Sequence, residues 1–169
     1  MLLLGCIWAV QIACNSQSNK RASEKADTTA ISAQGIVIED DTLSAVFANY
    51  IALKDALVAS DAKLAGDFSN KLSENLKAIH GCENTAILAQ ELANSNDLAL
   101  QRSAFSVISE DLIAMFQQVT LNSGEIYVIH CPMYKNKAGA DWLSTSSAIK
   151  NPYFGDEMLT CGTVIQEIK

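Results

Sequence analysis

Both prolines of this 169-residue chain, Pro132 and Pro152, lie beyond residue 130. The stretch from Ile36 to Leu121 is therefore free of the residue that most strongly breaks a helix, because proline removes a backbone donor and clashes with the preceding turn. Within it, apolar residues recur at helical spacing. Leu43, Val46, Phe47, Tyr50, Leu57 and Val58 mark a first helix, behind an acidic start at Glu39, Asp40 and Asp41 that suits the positive end of a helix dipole. Leu64, Phe68, Leu72, Leu76 and Ile79 mark a second, with Ser60 as its N-cap and Gly81 as its stop. A third runs from Glu83 to Ala93. After Asn94, Ser95 and Asn96, a fourth carries Leu98, Phe105, Ile108, Leu112, Met115, Phe116 and Val119. Four amphipathic helices on short polar links predict a mainly α fold, an antiparallel four-helix bundle.

From Asn122 onward the pattern changes. Asn122, Ser123 and Gly124 form a turn signal, Ile126 to Ile129 is a short β-branched and aromatic run, and turn residues dominate the rest. The expected architecture is a single domain over residues 36–169, a bundle followed by a short β/loop tail, and a chain this long can bury one core.

Charge excludes one class of partner. With 19 acidic against 12 basic residues and a net charge of -7, phosphate backbones are repelled over most of the surface, so unaided nucleic-acid binding is ruled out. The acidic surplus sits on the helices, and the tail is nearly neutral. There is no phosphate loop, no paired catalytic carboxylates and no His-rich zinc pattern, which points to a binding protein, not an enzyme. Thiol catalysis by Cys131 with His130 or His80 as base finds little support, since adjacent strand residues face apart and no CxxC is present.

The N-terminus predicts the compartment. Residues 1–14, MLLLGCIWAVQIAC, are too short to span a bilayer and suit the apolar core of an export signal. Ile12, Ala13 and Cys14, followed by Asn15 and Ser16, resemble the end of a bacterial lipoprotein signal. Residues 1–13 are then removed, Cys14 carries lipid, and the chain reaches the membrane through it, facing the periplasm, with the outer membrane as the expected anchor site. Residues 15–35 hold one large apolar side chain, Ile31, and cannot offset the entropy of ordering, so they form a tether.

Sulfur is concentrated in the tail. His130-Cys131-Pro132-Met133 and Met158-Leu159-Thr160-Cys161-Gly162 hold two of the three methionines beyond Met1 and two of the three cysteines that follow Cys14. Thiolate and thioether are soft donors, and together they favour Cu(I) over Zn(II). Cys131 and Met133, two apart on an extended segment, can converge with Met158 and Cys161, one turn apart. His130 points away from Cys131 in a regular strand and is the lesser ligand candidate. His80 and Cys82, flanking Gly81, become an N and an S donor only if that end of the bundle meets the tail; otherwise His80 is a solvated residue and Cys82 a small hydrophobe. Two other readings stay open. A Cys131–Cys161 disulfide, which an exported protein permits, would stabilise by about 3.5 kcal/mol on the loop-entropy argument. Alternatively, Met133 and Met158 fill the junction between tail and bundle.

Five segments carry a family resemblance: YIALKDALVASD (50–61), QRSAFSVISEDL (101–112), IYVIHCPM (126–133), GADWLS (139–144) and NPYFGDEMLTCG (151–162). In these the chain resembles an uncharacterised family of bacterial envelope proteins, a domain of unknown function also found fused to the periplasmic adaptor subunits of heavy-metal efflux pumps. The resemblance implies a periplasm-facing domain that handles Cu(I) or Ag(I), with Cys131, Met133, Met158 and Cys161 as ligands and an efflux adaptor or another copper protein as partner.

Three further expectations concern structure. Lys54 lies on the apolar stripe of the first helix, with its ammonium expected to reach an acid such as Asp111. Arg102 should tie the fourth helix to the tail, and Trp142, Tyr153 and Phe154 should plug the tail onto the helices.

Overall fold

A computed structural model describes residues 35–169. The expected export signal, the expected lipidation at Cys14 and residues 15–34 of the expected tether lie outside the described residues.

The protein is mainly helical, with four long helices and a small β-sheet tail. The helices are α1 (Asp41–Val58), α2 (Ala62–Leu76), α3 (Glu83–Ala93) and α4 (Leu98–Phe116). Each packs on the next along the chain, and α4 also packs on the tail sheet. Strand β1 (Val37–Ile38) pairs antiparallel with β2 (Leu121–Ser123), joining the start of the described chain to the end of the helical part. The tail contributes β3 (Ile126–Cys131), β4 (Ala140–Ser144) and β5 (Thr163–Ile168) in an antiparallel sheet of order β4-β3-β5. His130 sits directly opposite Asp141 on β4 and Thr163 on β5.

Local chemistry explains the helix ends. Asp40, Asp61 and Asp97 each accept from the first free amides of α1, α2 and α4. Asp61, not Ser60, caps α2, because Ser60 is needed to close α1. Its φ is +55°, its amide donates to Leu57 O at 3.1 Å, and Asp61 N donates to Ala56 O at 2.9 Å. This is a Schellman closure, and it leaves Asp61 free to start the next helix at once. Gly81 likewise does not end α2. The helix tightens into three-residue turns after Leu76, with Ala78 N on Asn75 O and Ile79 N on Leu76 O, and Gly81 at φ +90° redirects the chain into α3.

Small residues set the approach of α2 and α3. Ser69 Oγ donates to Ala89 O at 2.7 Å and Ser73 Oγ to Ala86 O at 2.8 Å, so buried hydroxyls are satisfied across the interface. Gly66 lies so near that a Cβ there would stand 3.1 Å from Ala93 O.

The core between helices and tail is aromatic. Tyr50 stacks on Phe105 at 5.2 Å, Phe105 meets Tyr153, Tyr153 stacks on Tyr134 at 4.3 Å, and Trp142 meets Tyr153 edge-on. Trp142 and Tyr153 are buried, and Phe154 packs against Tyr134. Lys54 is buried as its place on the stripe requires, yet its ammonium lies 2.7 Å from Asp55 instead of Asp111. Asp111 faces α3 from α4 and accepts from Thr85 Oγ1 at 2.7 Å.

Candidate functional site

Two chain segments meet where sequence reasoning concentrated the sulfur. Cys131 is the last residue of the central strand β3 and is fully buried. Cys161 precedes β5 and is half-buried. Their Sγ atoms stand 3.9 Å apart, and both cysteines are free thiols.

The Cys161 arm is held by Asn151, a fully buried residue whose amide and side chain make three of its hydrogen bonds. Asn151 N donates to Leu159 O at 2.8 Å, Nδ2 donates to Cys161 O at 2.7 Å, and Oδ1 accepts from Tyr153 N at 2.8 Å. Cys161 N in turn donates to Met158 O at 3.0 Å, so Met158 and Cys161 share one turn. Gly162 then passes so close to the sheet that a Cβ would stand 2.9 Å from the Trp142 ring and 3.1 Å from His130 O. Only a glycine lets the arm lie against β3 at this point.

The arm is also fastened to the helices. Arg102 on α4 donates from Nε to Pro152 O at 3.0 Å and from Nη2 to Leu57 O at 3.3 Å and Ser60 Oγ at 2.9 Å. One guanidinium thereby joins α4, the end of α1 and the tail, using the fixed fork that lysine lacks. Gly155, at φ +57°, lies against the same group. Tyr50 adds a second tie: its hydroxyl accepts from Leu143 N at 3.0 Å and pairs with Ser109 Oγ at 2.8 Å. Tyr153 Oη donates to Asp141 O at 2.5 Å. Burial pushes the phenols of both Tyr50 and Tyr153 above their ordinary value.

The other candidate ligands are placed differently. His130 faces away from Cys131, as strand alternation requires, and its Nδ1 lies 2.6 Å from Asp141 Oδ1. A carboxylate at one ring nitrogen fixes the ring and leaves Nε2 on the opposite edge. Met133 follows Pro132 into the hairpin loop and is 43% exposed, whereas Met158 is half-buried. In that loop Lys135, Asn136 and Lys137 all have positive φ, an arrangement that costs of order 1 kcal/mol or more per residue. His80 projects fully into solvent between α2 and α3, with Nδ1 3.5 Å from Glu83. Cys82 is half-buried beside it, and its thiol is pushed up by desolvation and by the carboxylates of Glu83 and Asp111. A fully exposed ring cannot also pack against the tail, so the structure does not bring His80 to Cys131.

Chemically, the arrangement offers two sulfurs within reach of one ion. Sulfurs each 2.3 Å from a tetrahedral metal would stand about 3.8 Å apart, close to the separation present. Among the described residues no group of three or more His, Cys, Asp and Glu side chains is placed to hold a metal. Two thiols without a third such group fall short of the four ligands of a structural zinc site. Desolvation raises the Cys161 thiol above its ordinary value, and the neighbouring Cys131 thiol adds to the effect.

Asn151 and Gly162 position the second thiol. The sequence marks Asn151-Pro152 as the start of a turn and Gly162 as a point of backbone freedom, but not the contacts the two residues make.

Residues 46–124 match a family described as a protein of unknown function (DUF3347). The match runs from within α1 to the turn after β2. It includes the YIALKDALVASD and QRSAFSVISEDL segments, whereas Cys131, Met133, Met158 and Cys161 lie beyond it. No curated protein and no solved structure matches the chain.

Proposed function

We propose that this chain is an envelope lipoprotein that binds a soft monovalent metal ion, Cu(I) or Ag(I), at Cys131 and Cys161. The observation that carries the reading is the approach of two free thiols to 3.9 Å across segments 30 residues apart. Met158, in the same turn as Cys161, and Met133, two residues from Cys131, are the candidate thioether donors. His130 is a reserve ligand at most, because strand alternation turns its ring away from Cys131. The four helices act as an antiparallel bundle that carries the site, and Arg102, Tyr50 and Asn151 hold the metal-binding tail in place. Lipid on Cys14 would keep the domain at the membrane, facing the periplasm, where it buffers copper or passes it to an efflux adaptor. Its role is binding, not catalysis.

Competition with a Cu(I) chelator tests this. The reduced chain should take up about one Cu(I), and Cys131→Ser or Cys161→Ser should abolish uptake, whereas His80→Ala should leave it unchanged. A reduced protein that takes no Cu(I) from the chelator overturns the proposal.

The same approach of the thiols favours a second reading, a disulfide-closed adaptor domain that takes no metal. Two thiols would lose two protons and two electrons to a thiol–disulfide oxidant and form one S–S bond. Mass spectrometry of freshly isolated protein distinguishes the two. A bridge that resists mild reductant, with no metal uptake after full reduction, favours the adaptor.

A further inference from the structure

Lys54 occupies a position where an apolar residue would serve the fold better. It lies among Tyr50, Ile51, Leu53 and Leu57 on the buried face of α1, and its side chain is only 6% exposed. Removing an ammonium from water costs several kcal/mol, and replacing a buried ion pair with apolar residues is often neutral or stabilising. Its carboxylate partner, Asp55, is the next residue on the same helix and is half exposed. The pair therefore ties no two elements together, and a structural cross-link does not account for the charge.

Lys54 lines a cleft of about 400 Å³. The cleft is also lined by Ser144, the last residue of β4, and by Ser146 and Lys150 in the segment that follows. Consecutive side-chain and backbone bonds fold that segment tightly. Ser144 Oγ donates to Ser146 O and accepts from Ser146 N, and Ser146 Oγ accepts from Ala148 N. Thus two lysines, one buried on α1 and one exposed after β4, line one cleft in a chain whose net charge is -7.

We propose that this cleft binds a phosphate-class oxyanion, a phosphate group presented by a small molecule or by a lipid headgroup. Lysine ammoniums act as point charges that suit phosphate, whereas a planar carboxylate is better matched by the arginine fork. Lys54 supplies the buried charge, Lys150 a second charge from the segment after β4, and the Ser146 hydroxyl a donor. Asp55 competes for Lys54 in the empty cleft and swings into solvent when the anion enters, which its exposure permits. The site shares none of these residues with the thiol pair.

Phosphate titration of the chain from residue 15, followed by calorimetry and by 31P line broadening at constant ionic strength, tests the proposal. Wild type should bind inorganic phosphate saturably, Lys54→Met should weaken binding by about tenfold or more, and Asp55→Asn should tighten it. Lys54→Met keeps the stem volume, so a melting temperature in chloride at or above that of wild type verifies that it folds. Phosphate also stabilises proteins by exclusion from their surface, but it does so equally in both proteins. A Cys131→Ser, Cys161→Ser double variant should bind phosphate like wild type. Flotation with phosphatidylglycerol vesicles separates the sources: Lys54-dependent flotation assigns a lipid headgroup, and phosphate binding without flotation assigns a free phosphate compound. Lys54-independent binding, or no binding in either arm, overturns the proposal.

Discussion

The side-chain amide of Asn151 donates to the backbone carbonyl of Cys161 at 2.7 Å, and this bond sets where the second thiol lies. The same side chain accepts from Tyr153 N, so its loss strands two backbone groups in a buried setting. Asn151→Ala should cost about 2–3 kcal/mol in urea unfolding, in line with unsatisfied buried polar groups. It should also slow oxidative closure of the Cys131–Cys161 pair. Unchanged stability and unchanged closure would show that the arm is held elsewhere.

Tyr50 makes stability depend on alkaline pH. Its phenol is raised above the ordinary 10.0, chiefly by burial, with Asp141 adding to the effect and hydrogen bonds to Ser109 and Leu143 opposing it. A raised value in the folded state means a stabilising contribution that is complete below pH 10 and declines as pH rises past it, because only the unfolded chain ionises readily there. Tyr50→Phe should flatten the loss of stability above pH 10 while costing about 1–2 kcal/mol at neutral pH, where Leu143 N loses its acceptor. Denaturant midpoints across the alkaline range give both quantities.

The Arg102 clamp is sensitive to its glycine neighbour. A Cβ on Gly155 would stand 2.7 Å from Ser60 Oγ and 3.0 Å from Arg102 Nη2, in a backbone conformation that already disfavours a side chain. Gly155→Ala should therefore destabilise by about 1–3 kcal/mol. Arg102→Lys should also be destabilising, since one ammonium cannot reach Pro152 O, Leu57 O and Ser60 Oγ in the same geometry. Thermal melts of the two variants should both fall below wild type.

Alkylation should discriminate among the cysteines. Cys161 is more accessible than Cys131, but desolvation and then the Cys131 thiol raise its ordinary value. Only the thiolate reacts, so iodoacetamide should modify Cys161 before Cys131, yet more slowly than an unfolded-peptide thiol. Cys131→Ala should accelerate the reaction at Cys161. Peptide mapping over time reads these rates, and faster labelling of Cys131 would contradict the packing of β3.

The helices were legible because their signals are local. The absence of proline and the 3.6-residue period marked all four, and Glu83 to Ala93 is both the expected and the observed span of α3. The ends were harder to read. Ser60 is a favourable N-cap by residue type, yet the geometry that closes α1 gives it positive φ and passes the cap to Asp61. Lys54 was legible as buried, but its partner was not: Asp111 turns toward Thr85 once α3 packs on α4.

By itself, the sequence determined the helical stripes, the change of character at Asn122 and the gathering of sulfur in the tail, since each depends on residue type and short spacing. Tertiary structure alone decided that β3 lies between β4 and β5, that His130 turns to Asp141, and that Cys131 and Cys161 meet. Strand pairing joins residues far apart in the chain, and which strand is central depends on what covers each edge and face. The sulfur cluster was visible as composition. Its reduction to one thiol pair held by Asn151 follows from packing, because a buried carboxamide must find partners and here one of them is Cys161.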